Sequence, residues 1–134
     1  MIENTYTNYI KEPYSMSLDQ MERLHKDLLS EIDNDPDTIE LYEELIDAAT
    51  EYAAIRAKWG RMSREEKMDS DSLRTLHHNS VIIHFNMLAR YLRMQGKQAA
   101  WRDELGDAEA NRYYRKTIGD FGCYIVFINS LCAR

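Results

Sequence analysis

Apolar residues recur at three- and four-residue steps along most of this chain, a spacing that predicts helices rather than strands. Leu18, Met21, Leu24, Leu28, Leu29 and Ile32 form the first stripe. Ser17-Leu-Asp-Gln20 precedes it in the form of a capping box, in which serine accepts from a first-turn amide and glutamine reaches back. This helix is expected to stop near Asp33. Asp35-Pro36 signals a second start, because proline at the first helical position gives up only an amide that had no partner. Tyr42, Leu45, Ile46, Ala49, Tyr52, Ala53 and Trp59 then make one stripe up to Gly60.

Ser63-Arg-Glu-Glu66 is a second capping box, read as opening a short turn, and Asp69-Ser-Asp-Ser72 offers caps for a third long helix running to about Gly96. On that helix Leu73, Leu76, Ser80, His84, Met87, Leu88 and Tyr91 cluster on one side, while Ile82, Phe85 and Ala89 form a second strip. Apolar character on two sides predicts a central position. A short piece from Gln98 to Leu105 leads through Gly106 into a final helix from about Arg112, whose stripe is Tyr114, Ile118, Phe121, Ile125, Ile128 and Cys132. The first sixteen residues, with Tyr6, Tyr9, Pro13 and Tyr14, show no period and read as an extended arm. The expected fold is all-α: a single-domain bundle of four to five helices over residues 17–134, with an N-terminal arm over residues 1–16.

Length agrees with one domain, since 134 residues bury a core without disulfide or metal. Cys123 and Cys132 are nine residues apart in one helix, about 13 Å, so they cannot bridge and read as reduced thiols. No basic leader or long apolar span is seen, which makes a cytoplasmic protein without membrane insertion the expectation. The net charge of −6 is uneven: residues 1–70 carry 17 acids and 8 bases, and residues 71–134 carry 6 and 9. Nucleic acid is therefore a poor first guess as partner.

Several polar constellations compete for a functional role. Glu40, Glu44, Asp47 and Glu51 lie on one face of the second helix, opposite its apolar stripe, where a globular helix meets water. Glu40-x-x-Glu43 and Glu66-x-x-Asp69 form two spaced carboxylate pairs over about thirty residues. This pattern resembles that of the MazG-like all-α nucleotide pyrophosphohydrolases. The resemblance implies Mg²⁺ held by Glu40, Glu43, Glu66 and Asp69 around a nucleoside triphosphate. Glu22-x-x-His25 has di-iron spacing but lacks the second pair that such a site needs.

On the third helix His77 and His84 are too far apart for one metal. Arg74, His78, Asn79, Asn86 and Arg90, with Thr75 and Arg93, form a polar strip that is either a hydrogen-bond network or the wall of a pocket. Arg90, Arg93, Lys97, Arg102, Arg112, Arg115 and Lys116, interleaved with Trp101, Tyr113 and Tyr114, are the credible anionic-ligand surface. Finally, Gly119, Gly122, Cys123, Val126 and Ser130 make a small-residue face on the last helix that another helix could approach closely, Phe127 adds a large apolar group beside it, and a homodimer is expected there. The leading expectation is a non-enzymatic interaction protein forming a homo-oligomer, without cofactor and open to a protein partner. The alternatives are an Mg²⁺-dependent pyrophosphohydrolase-like enzyme, and anionic-ligand or nucleic-acid binding through the basic C-terminal half.

Overall fold

The computed structural model describes residues 16–107 and 109–132, the side chain of Cys132 excepted, so the expected arm lies outside the described residues apart from Met16. Among those residues there are five α-helices and no strand: α1 (Leu18–Glu31), α2 (Pro36–Trp59), α3 (Arg64–Met94), α4 (Ala100–Glu104) and α5 (Arg112–Cys132). The domain is all-α, and no described helix is long and apolar enough to cross a membrane.

Local chemistry sets the helix starts. Ser17 and Gln20 close a reciprocal capping box on α1, and Ser63 and Glu66 do the same on α3. The second box starts the long helix itself. No separate turn precedes Asp69, because the first-turn amides are satisfied at Ser63 and neither glycine nor proline interrupts the chain up to Met94. Pro36 occupies the first turn of α2, while the carboxylate of Asp35 accepts from the hydroxyls of Thr38 (2.9 Å) and Tyr91 (2.7 Å), tying that turn to α3. The short α4 is held by Glu31, which accepts from Ala99 N–H (3.0 Å) and Trp101 Nε1–H (2.8 Å).

The central element is α5, in which every residue from Thr117 to Phe127 is buried. It runs against α2 and alongside α3: Gly119 lies by Tyr52 and His78, and Gly122 lies by Ala49 and Val81. The close approach that the small face admits is thus made by two helices of the same chain. Val126 and Phe127 are buried as well, and Ser130 is exposed.

On α3 the packed side carries Val81, Ile82, Phe85, Leu88, Ala89 and Leu92. The strip with Ile82, Phe85 and Ala89 is therefore the core side, whereas Leu73, Leu76 and Met87 face outward. Periodicity finds both strips, but only the position of α5 decides which is covered.

A Cβ at Gly122 would sit 3.0 Å from Val81 Cγ1 and 3.6 Å from Ala49 Cβ, leaving no room for a larger group. Gly122→Leu should overpack this contact and cost about 1–3 kcal/mol, beyond any gain in helix propensity. Urea denaturation, with far-ultraviolet circular dichroism as readout, measures it.

Candidate functional site

Where α2 ends and α3 and α5 begin, the side chains of Tyr52, Arg56, Asp71, Arg74, Thr75, His78, Arg112, Arg115 and Lys116 line a cleft of about 460 Å³. The polar strip of α3 and the basic start of α5, separate in sequence, meet here. Its floor is an ion pair removed from water: Arg56 Nη1 donates to Asp120 Oδ1 at 2.5 Å, with the two side chains 1% and 0% exposed. Lys116, one turn before Asp120, adds a second cation at 3.3 Å from Oδ2. Arg56 Nη1 also lies 3.9 Å from Cys123 Sγ, which places that buried thiol behind the pair.

The walls are fixed by specific partners. The Arg74 guanidinium carbon stands 4.5 Å from the Trp59 ring centroid, a cation–π contact that orients it. Arg115 donates to Asn79 Oδ1, making Asn79 a positioning residue. His78 stacks on Tyr52, ring centroids 4.8 Å apart and planes 13° from parallel, and its Nε2 is 2.7 Å from the Arg115 carbonyl oxygen. A carbonyl oxygen can only accept, so the neutral ring carries its proton on Nε2 and leaves Nδ1 as an acceptor.

Burial pushes His78 down to about 4, and the charges of Arg115, Arg56 and Arg74 act in the same direction against the carbonyl bond. Burial likewise pushes the Tyr52 phenol up to about 12. Both rings are uncharged at neutral pH.

Electrostatically the cleft contrasts with the chain. Five cations (Arg56, Arg74, Arg112, Arg115, Lys116) face Asp71 on the lining and Asp120 beneath it, leaving three positive charges in excess within a protein of net charge −6. The α5 macrodipole adds its positive end, since the first turn of that helix supplies Arg112 and Arg115.

The remaining sequence candidates are distributed elsewhere. Asn86 and Arg90 line a second, shallower hollow with Arg93 and Arg102, away from Arg74 and His78. Arg102 is engaged there by Asn86 Oδ1 (2.7 Å) and the Gly106 carbonyl (2.8 Å), and Arg93 by Asp103 (3.0 Å). Lys97 pairs with Asp33 at 3.6 Å. Glu40, Glu43, Glu66 and Asp69 are all exposed, and Glu66 accepts from Ser63 N–H at 2.8 Å. Among the described residues no three His, Cys, Asp or Glu side chains are grouped so as to hold a metal ion. His25 is buried, 3.3 Å from the Tyr42 hydroxyl, and Glu22 pairs instead with Lys26. Sequence reasoning read Tyr52 and Asp71 only as a stripe position and a possible cap, and it missed Arg56 and Asp120 altogether. For the last two a signal existed: each is a charge set into an apolar helical stripe.

No protein family, curated protein or solved structure matches the chain.

Breaking the floor should be costly. Arg56→Met leaves a buried carboxylate short of its arginine and is expected to lose about 3–5 kcal/mol, whereas Arg56→Met combined with Asp120→Leu recovers most of it. Chemical denaturation of the two variants checks the difference.

The histidine gives a pH signature. Its folded value lies below the ordinary 6.5, so as pH falls through that value toward about 4 the unfolded chain takes up a proton that the native ring refuses. Stability is thus complete above pH 6.5 and declines below it, with buried His25 shifted in the same direction. Between pH 6.5 and 5, before ordinary carboxylates protonate, the melting midpoint of the native chain should fall, and His78→Gln should flatten that fall.

Proposed function

We propose that this protein is a binding protein for a small, multiply charged anion, such as a phosphate- or polycarboxylate-bearing metabolite, held in the cleft between α2, α3 and α5. The observation that carries the proposal is the excess of positive charge on preorganised side chains: Arg74 on Trp59, Arg115 on Asn79, and Lys116 beside Asp120. A cation already held in place loses little conformational freedom on binding, so more of its attraction appears as affinity. The volume, about 460 Å³, suits a metabolite rather than a folded partner.

Neutral His78 offers an acceptor at Nδ1, and Thr75 a hydroxyl, so the site can pair with an anion that also carries a donor. Asp71 at the lining is the repulsive element that selects against a larger or misplaced charge. The function supported is binding, by arginine forks suited to phosphate and carboxylate oxygens.

Titration calorimetry with inorganic phosphate, pyrophosphate, citrate and a nucleoside triphosphate tests this reading. At least one should bind with salt-dependent affinity and raise the melting midpoint. Arg74→Ala and Arg115→Ala should each weaken it about tenfold, the equivalent of one charge-assisted hydrogen bond. Absence of heat and of any midpoint shift with all four at millimolar concentration ends the proposal.

A further inference from the structure

The outward side of α3 carries an apolar seam that the domain leaves uncovered. Leu73 is 49% exposed, Leu76 62%, Ile83 53%, Met87 44% and Met94 74%. With Ser80 and Arg90 between them these residues run 73, 76, 80, 83, 87, 90 and 94, alternating steps of three and four without a break. That is the heptad spacing of positions a and d, the pattern by which one helix receives another, knobs into holes. It lies opposite the core side, since Val81, Phe85, Leu88 and Leu92 fall on the reverse of the helix. An apolar row of three heptads, about 32 Å long at the helical rise, is more than scattered surface leucine.

The charges at its ends identify the occupant. Asp69 extends the seam one step beyond Leu73 and is exposed, and Arg90 sits within it near the other end, also exposed. A parallel copy would set Asp69 against Asp69 and Arg90 against Arg90. An antiparallel copy instead brings each Arg90 over Leu73 of the other chain, within reach of its Asp69, and does so twice by symmetry. Ser80 then faces Ile83 across the twofold axis, a small residue against a large one, and Leu76 faces Met87. The flanking positions are His77, His84 and Tyr91 on one edge and Asn79, Asn86 and Arg93 on the other; the one permanent cation among them, Arg93, is paired with Asp103 of its own chain at 3.0 Å. A surface complementary to itself under a twofold rotation is what an isologous dimer requires.

We infer that the protein forms an antiparallel homodimer through the outward seam of α3, with Asp69 and Arg90 setting the orientation. The interface is separate from the small-residue face of α5, which α2 and α3 already fill. It is also separate from the anion cleft, whose α3 residues Asp71, Arg74, Thr75 and His78 stand on other faces of the helix.

Sedimentation equilibrium on the full chain, from about 1 to 200 μM, tests the inference. The expected mass is twice the 15.8 kDa of one chain at the upper concentrations. Ile83→Glu, at an exposed position that leaves the core intact, should weaken association at least tenfold while leaving the circular dichroism spectrum unchanged. Asp69→Arg and Arg90→Asp should each weaken it, and the two together should restore it, because the reversed charges meet again only in the antiparallel arrangement. A monomer at every concentration overturns the dimer, whether residues 1–15 or another protein then covers the seam. A dimer indifferent to Ile83→Glu overturns this interface, and failure of the double reversal to rescue overturns the orientation. Anion binding by Ile83→Glu is read in parallel, so loss of the dimer and loss of the cleft's function are told apart.

Discussion

The ion pair of Arg56 and Asp120 is the interaction on which the arrangement of α2, α3 and α5 depends. Two charges taken from water are compensated only when they meet directly, and a water-filled gap between them would leave each paying for its own desolvation. Direct contact requires α5 to lie close on α2, and the residues beside the pair permit that: Ala49, Ala53, Gly119 and Gly122 put little bulk between the helix axes. Small residues and buried charges are thus one constraint. Because Lys116 precedes Asp120 by one turn and Arg115 precedes Lys116, the depth at which Asp120 is anchored also sets where the basic start of α5 stands.

Gly119 links that packing to the cleft. A Cβ there would be 2.9 Å from His78 Nε2 and 3.0 Å from Tyr52 Cε2, so its absence lets the stacked rings lie against α5 and lets His78 reach the Arg115 carbonyl. Removal of the small side chain is worth the roughly 1 kcal/mol of helix propensity that glycine forfeits because two ring contacts and a hydrogen bond take the space. In the sequence the same glycine reads as an opening for a neighbour. The neighbour proves to be the site itself.

Helices and their caps were legible from sequence because both are local: a capping box spans four residues and an apolar stripe repeats each turn. The start of α3 was placed late because Asp69 to Ser72 is rich in capping residue types, so the box at Ser63 was read as opening a turn of its own rather than the long helix. Which side of α3 is buried was not legible, since two strips compete and the decision belongs to α5. For the cleft, Arg74, His78 and Asn79 were visible as a polar strip and Arg112, Arg115 and Lys116 as a basic one. Their union was not, because 36 residues separate Asn79 from Arg115, and the helix that joins them is positioned by a buried pair. A single rule would have found Arg56: on the stripe Ala49, Tyr52, Ala53, Trp59 it holds an inward position, where a charge needs a partner.

The position of the cleft follows from a change of polarity along one face of α3. Leu92, Phe85, His78 and Asp71 succeed one another at intervals of seven residues, so they lie in nearly one line down the helix. The first two are in the core, the third is half-buried, and the fourth is exposed at the lining of the cleft. On α2 the stripe that is apolar through Ala53 becomes Arg56 at the same end of the bundle, and on α5 the buried run beginning at Thr117 is preceded by Arg112, Arg115 and Lys116. Three helices therefore stop supplying apolar side chains at one level. Their backbones stay packed, because α5 is held by Asp120 below that level, and the side chains above it are long, charged and mutually repelling. Charges of like sign on converging helices cannot close over one another as leucines would, so the bundle opens there. The acids on the outer face of α2 do not cancel that field: Glu40, Glu44 and Asp47 lie nine or more residues before Arg56, over about 13 Å along the helix. Glu51, nearer in sequence, is exposed on the opposite face of α2 from Arg56. At physiological ionic strength the screening length is roughly 8 Å, so the cations that line the cleft determine what an approaching anion meets.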